Sequence, residues 1–210
     1  MKLLIITLLL GGSTSSLFGQ RYLFYLHGKI VEDQGANAVD SVNGYGAYQY
    51  NDILDSFRKE NFIVLSEVRK KNTNPIDYSH KVVRQVDSLI KRGAKPDDIT
   101  VVGASKGSFI AMLTSSYLKN KQVNFVFMAG CNEGVIKQFP DIQFCGRILS
   151  IFEKSDNIGH SCDKFKDKSS LPIPRYKEVE LNTGLKHGFI FKPLPQWIGP
   201  AIKWARNDYE

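Results

Sequence analysis

The chain has 210 residues, 42% of them apolar and 11% aromatic, which is enough to bury a sizeable core and excludes disorder as the default state. Its formal charge is +7, but the Lys and Arg residues are scattered, and the densest groups, Arg69-Lys70-Lys71 and residues 164–168, are short and interrupted. That pattern argues against nucleic acid as a partner and for a solvated basic surface.

In chain order, the first twenty residues stand apart. Lys2 is a positive start, residues 3–10 are a short apolar run, and the small, polar stretch GGSTSSLFGQ follows. This reads as a secretory signal peptide over residues 1–20, because crossing a bilayer takes roughly 18 or more apolar residues. Leu17-Phe18-Gly19-Gln20 resembles the signal end of a bacterial lipoprotein, with Gln20 where the lipid-accepting cysteine would stand. The expected product is a soluble chain starting near Arg21, charged +6 after loss of Lys2, secreted or periplasmic and without a stable membrane anchor. Three cysteines in an exported chain permit one disulfide and leave one over.

Residues 22–26 are apolar throughout and end at His27-Gly28, which reads as a buried strand. A loop rich in Gly, Asn and Asp covers 29–46. Tyr50, Ile53, Leu54 and Phe57 recur at helical spacing and predict a helix over 47–60, with the next strand at 62–68. Asn74-Pro75 opens a helix that carries Val82, Val83, Val86, Leu89 and Ile90 on one face and stops at Gly93. Pro96-Asp97-Asp98 turns into a strand at 99–102. Phe109, Ile110, Leu113 and Leu118 then mark a buried helix. Further strands are expected at 123–129, 148–152 and 176–181, and Trp197, Ile198, Ala201, Ile202 and Trp204 mark a closing helix. Strands apolar on both faces, alternating with amphipathic helices, predict a three-layer α/β/α domain over 21–210, with a mostly parallel sheet of about six strands.

In such sheets, ligands bind beyond the carboxyl ends of the strands. The loops there begin with His27-Gly28, Glu67 to Arg69, Gly103 to Gly107, Gly130-Cys131-Asn132, Glu153 to Asp156, and Gly184 to Gly188. Ser105 lies in Gly103-Ala104-Ser105-Lys106-Gly107, between a strand and a helix, where small neighbours two residues away let both elements pass close to a strained nucleophile. Glycine and serine also suit a plain turn. Of the four histidines, His80 falls in a helix and His160 in a polar loop, whereas His187 follows the last strand and is the candidate general base. Asp156 is the candidate acid, with Glu153 nearer the strand and Asp163 farther along as alternatives, and helix capping as its plain reading. Oxyanion donors are expected from the N–H of Lys106 and from the His27-Gly28-Lys29 turn, and loss of one such donor costs about 3 to 4 kcal/mol of barrier.

Together, Leu26-His27-Gly28, the Gly103 to Gly107 turn, Asp156 and His187, in that order over nearly the whole mature chain, resemble the α/β-hydrolase family. The resemblance implies a Ser-His-Asp hydrolase of esters, thioesters, amides or lactones, acting on a small-molecule acyl substrate with no metal or organic cofactor. The antiparallel first strands of larger members are missing, and the short stretch between Ala129 and the next strand leaves no room for a lid. The site is then open, with loop 29–46 as its main cover, and Gly44, Tyr45, Gly46, Tyr48 and Tyr50 as candidates to shape an acyl pocket. The same fold puts Cys131 and Cys162 beyond strand carboxyl ends and Cys145 at the opposite edge, implying a Cys131–Cys162 disulfide. A metal or redox role for His160, Cys162 and Asp163 fits no tetrahedral spacing well.

The leading expectation is an exported carboxylesterase working through an acyl-enzyme. The competing one is a non-catalytic ligand-binding protein on the same fold, motivated by the bulky charged Lys106 beside the serine, whose side chain has no role in the first reading. A peptidase of the same fold is a third.

Overall fold

The computed structural model describes residues 19–210; the expected signal peptide, but for its last two residues, lies outside them. Six strands form the main sheet: β1 (Arg21–Leu26), β4 (Phe62–Leu65), β5 (Ile99–Ala104), β6 (Asn124–Met128), β7 (Arg147–Glu153) and β8 (Arg175–Leu181). Their order is β4-β1-β5-β6-β7-β8, and every neighbouring pair is parallel. The chain therefore reverses its direction of travel across the sheet between β4 and β5, which places β1 and β5 side by side at the switch point where ligands bind.

The two-residue period of the strands builds two cores. Leu23 and Tyr25, Val102 and Ala104, Val126 and Met128, and Leu149 and Ile151 face one side, covered by α2 (Tyr50–Arg58) and α7 (Pro195–Ala205). The alternate residues Tyr22, Phe24, Val101, Phe125, Phe127 and Ile148 face α3 (Pro75–Lys91) and α4 (Lys106–Leu118). The start of α3 follows from its sequence: Pro75 takes the first turn, and Asn74 Oδ1 accepts from the N–H of Ile76 and of Asp77. Most of α4 is buried, so it runs through the interior directly behind Ser105.

The expected loop 29–46 is structured. It holds α1 (Lys29–Gln34) and the antiparallel pair β2 (Val39–Asp40) and β3 (Gly46–Ala47). Two more short helices, α5 (Glu133–Gln138) and α6 (Asp163–Lys168), follow β6 and β7. Six-residue helices are too short for an apolar period to emerge, which is why the sequence reads as loop there. β4 stops at Leu65, short of the expected Val68, because the Ser66 hydroxyl takes over the Tyr25 carbonyl at 2.6 Å.

Cys131, just past β6, is disulfide-bonded to Cys162, at the start of α6, and Cys145 is buried and free. The bridge spans 31 residues and encloses the loop after β7. Closing a ring of that length restricts the unfolded chain by about 4 kcal/mol. Replacing both cysteines with alanine is expected to lower the unfolding free energy by about 2 to 4 kcal/mol, read from urea titrations beside the reduced parent protein, which should lose the same amount.

Candidate active site

Ser105 is the single residue between the end of β5 and the start of α4, at φ 53° and ψ −119°. A non-glycine residue held there costs about 1 to 3 kcal/mol, so the surroundings must fix it. Its N–H donates to the Met128 carbonyl at 2.9 Å, and its own carbonyl accepts from Phe109 at 3.1 Å. The flanking glycines are required by packing. A Cβ on Gly103 would stand 2.3 Å from the Gly107 carbonyl oxygen, and one on Gly107 would stand 1.8 Å from that of Leu26.

The parallel sheet brings Asp156 and His187, which follow neighbouring strands, to the same end as Ser105. His187 Nε2 lies 2.9 Å from Ser105 Oγ, and Nδ1 lies 2.7 Å from Asp156 Oδ2. A carboxylate can only accept, so Nδ1 carries the proton and Nε2 is free to receive the one on serine. The other Asp156 oxygen accepts from the N–H of Ile158 at 2.9 Å. Both His187 and Asp156 are buried.

Glu153 and Asp163, the alternative acids, lie elsewhere. Glu153 is a buried tie: its carboxylate accepts from the N–H and hydroxyl of Ser155, the N–H and hydroxyl of Thr183, and the N–H of Gly184. Burial alone would raise its pKa, but these donors hold it below the usual carboxylate range. It thereby joins the two loops that carry Asp156 and His187, and the Ser155 hydroxyl also accepts from the N–H of Lys186 at 3.1 Å. Asp163 opens α6, and its neighbour Cys162 is taken by the disulfide.

Gly28 caps α1, and a Cβ placed on it would lie 3.5 Å from Ser105 Cβ. Lys29 and Lys106 are the first residues of their helices, so their main-chain N–H groups have no intrahelical acceptor. Their side chains turn elsewhere: Lys29 to Asp33 at 2.5 Å, and Lys106 to Glu32 Oε1 at 2.6 Å and the Thr73 carbonyl at 2.8 Å. His27, expected on the oxyanion or substrate side, does not reach the cleft. Its ring is buried, with Nδ1 donating to the Gly28 carbonyl at 2.8 Å and Nε2 accepting from the N–H of Arg69 at 2.9 Å. Burial and the Arg69 charge push its pKa down to about 4.

Ser105 and His187 open into a cleft of about 500 Å³, walled by Tyr45, Tyr48, Ile190 and Phe191, with Val39 and Val42 of the β2–β3 hairpin at its mouth. Tyr50, another candidate for this wall, is instead packed edge-on against His27, with its hydroxyl 2.8 Å from that of Ser66. Beyond Ile158 lies a second groove of about 800 Å³, lined by Asn132, His160 and Lys164, which reaches neither Ser105 nor His187. Sequence reasoning missed Glu32, Arg69 and the tie made by Glu153. Glu32 and Arg69 lie in segments that read as loop, where a charged residue signals nothing beyond exposure.

The parallel six-stranded sheet, its flanking helices and the turn at Ser105 define the α/β-hydrolase fold. By sequence, no family model and no curated protein matches the chain. Solved structures do resemble it. An esterase of the fungus Rhizomucor miehei matches with a TM-score of 0.58 and 16% identity, over 90% of this chain and 75% of that one. SOBER1 of Arabidopsis thaliana matches with a TM-score of 0.54 and 13% identity, over 91% of this chain and all of the other. One of the metagenome-derived lipolytic enzymes LipS and LipT matches with a TM-score of 0.58 and 11% identity, over 90% and 95%.

The buried, neutral His27 makes stability depend on pH. In the unfolded chain it takes a proton near pH 6.5, while in the folded protein it stays neutral to about 4. Its contribution is fully present above pH 6.5 and is lost as the pH falls towards 4, by up to roughly 3 kcal/mol. Urea unfolding of His27→Gln is expected to show a shallower loss than the wild type between pH 7 and 4.5; equal slopes would assign the loss to other groups.

Proposed function

We propose that the protein is an exported serine hydrolase that cleaves carboxylic esters through an acyl-enzyme. The observation that carries this reading is the unbroken hydrogen-bonded chain from Ser105 Oγ through His187 to Asp156. Ser105 Oγ attacks the ester carbonyl carbon while its proton passes to His187 Nε2, and Asp156 stabilises the resulting imidazolium. The main-chain N–H groups of Lys106 and Lys29 receive the oxyanion. Collapse of the tetrahedral adduct breaks the bond to the alcohol, which leaves with the proton from Nε2. Water then repeats the sequence on the acyl-enzyme and releases the carboxylic acid, with no cofactor taking part. The fold shared with the Rhizomucor miehei esterase agrees with this chemistry.

Export is supported by the leader-like sequence of residues 1–20 and by the disulfide, since such bonds persist in oxidising compartments. Among the described residues, no helix is long and apolar enough to cross a membrane. Residues 21–210 are taken as one domain.

The acyl group lies along Tyr45, Tyr48, Ile190 and Phe191 and runs out beneath the hairpin. Val39 and Val42 are 49% and 92% exposed, apolar surface that a substrate chain would cover.

A fluorophosphonate probe is expected to label Ser105 in the wild type and to leave Ser105→Ala and His187→Ala unlabelled. Asp156→Asn is expected to lower kcat by about 10⁴-fold, because the imidazole is then left in the wrong tautomer. An unlabelled, folded wild type would sink the reading.

With p-nitrophenyl esters, kcat/KM is expected to rise from acetyl to hexanoyl by up to about fourfold per methylene covered. The Val39→Ser, Val42→Ser double variant should erode that rise more at hexanoyl than at acetyl. A flat series in the wild type would place the acyl chain elsewhere.

A further inference from the structure

Lys106 follows the serine, yet its side chain is drawn away from the cleft by a buried carboxylate. The Glu32 side chain is fully buried on α1 and accepts from three donors: Lys106 Nζ at 2.6 Å, the N–H of Thr73 at 3.1 Å and Arg69 Nε at 3.2 Å. Arg69 in turn donates to the His27 carbonyl, and its own N–H donates to His27 Nε2 at 2.9 Å. Lys106 also donates to the Thr73 carbonyl at 2.8 Å. The result is a closed set of contacts among the turn after β1, the loop after β4 and the first residue of α4.

The position of this set matters more than its strength. α1 and α4 each begin with a residue whose main-chain N–H is a proposed oxyanion donor, Lys29 on α1 and Lys106 on α4. Glu32 is three residues from one and holds the side chain of the other. Nothing else among the described charged groups links the two helix starts; the only other ion pair of this cluster, Arg69 to Glu32, runs through the same carboxylate.

Resting on the serine-hydrolase reading, we propose that Glu32 is a positioning residue that sets the spacing of the two oxyanion donors by clamping Lys106 to α1. It touches no reacting atom. Its effect falls on the tetrahedral transition state, where a shift of a fraction of an ångström in a donor weakens its hydrogen bond, and it leaves ground-state binding of the substrate nearly unchanged.

The test compares Glu32→Gln and Lys106→Met with the wild type, with every rate expressed per titratable Ser105, so that any misfolded fraction drops out. The expected result for Glu32→Gln is a fall in kcat of about 10- to 100-fold with KM within threefold, since misplacing a donor costs less than deleting one. The affinity for an alkylboronic acid, which forms a tetrahedral adduct on serine, should fall in parallel, while the affinity for the product carboxylate should hold. Lys106→Met, at a partly exposed side chain, removes the clamp together with the bond to the Thr73 carbonyl and should show the same pattern at comparable amplitude. Per-site kcat and boronate affinity within twofold of wild type in either folded variant overturn the proposal, and if Glu32→Gln yields no titratable serine, Lys106→Met alone decides it. A wild type that neither labels nor turns over ester overturns the serine-hydrolase reading beneath it.

Discussion

Everything at the site depends on the backbone of one residue. Ser105 sits at φ 53° because β5 must hand over to α4 within a single position, and α4 starts so close to the end of β1 that only glycine fits at 107. The strain of about 1 to 3 kcal/mol is offset by the hydrogen bonds of Ser105 to Met128 and Phe109 and by the burial of most of α4. The buried helix behind the serine fixes its Cα and Cβ, so Oγ can leave His187 only by turning about the Cα–Cβ bond. The same turn fixes the first N–H of α4 with respect to the Ser105 Cβ, so one turn positions both the proposed nucleophile and the proposed oxyanion donor.

Asp156 and His187 are placed by a different device. Glu153 and Asp156 are three residues apart after β7, both buried, and they divide the work by what they can accept. Glu153 has its carboxylate filled by donors from two loops, so it has no capacity left for an imidazole. Asp156 takes one main-chain N–H on Oδ1 and leaves Oδ2 for His187. The nearer carboxylate builds the platform and the farther one meets the histidine. The disulfide encloses the same loop from its other side, so the segment bearing Asp156 is held at both ends.

Much of this was legible in the sequence, and what was not has a common cause. The six strands and four long helices announced themselves because each repeats an apolar pattern over enough residues for the period to emerge. The serine turn was legible because its glycines serve a steric need local to five residues. The loop 29–46 hid α1 and a hairpin, since six-residue helices and two-residue strands carry no repeat. In the sequence, the neighbouring Gly28 assigns His27 to the substrate side, but the ring turns inward to meet Arg69, 42 residues away. Glu32, Arg69 and Lys106 could not be joined from the sequence at all. Their pairing depends on β1 lying between β4 and β5, and a crossover of that kind leaves no mark on local composition.

The segment from Gly28 to Gln49 consequently serves both sides of the cleft. Its first turn bears Lys29 and Glu32, beside the serine. Its later part bears Val39, Val42, Tyr45 and Tyr48, which line the cleft. It is also fastened to the histidine side: the Gln49 N–H donates to the Phe191 carbonyl at 2.8 Å, and the rings of Tyr45 and Tyr48 lie 5.3 and 5.0 Å from that of Phe191. A change that widens the cleft at Tyr45 or Tyr48 therefore acts on the packing of Phe191, four residues from His187, as well as on the cleft wall. Changes confined to the exposed tip of the hairpin, at Val42 and its neighbours, touch neither the Glu32 clamp nor Phe191. In the proposed esterase, acyl-chain preference can thus drift at the tip while the residues beneath stay fixed, whereas the base of the same loop is constrained from both sides.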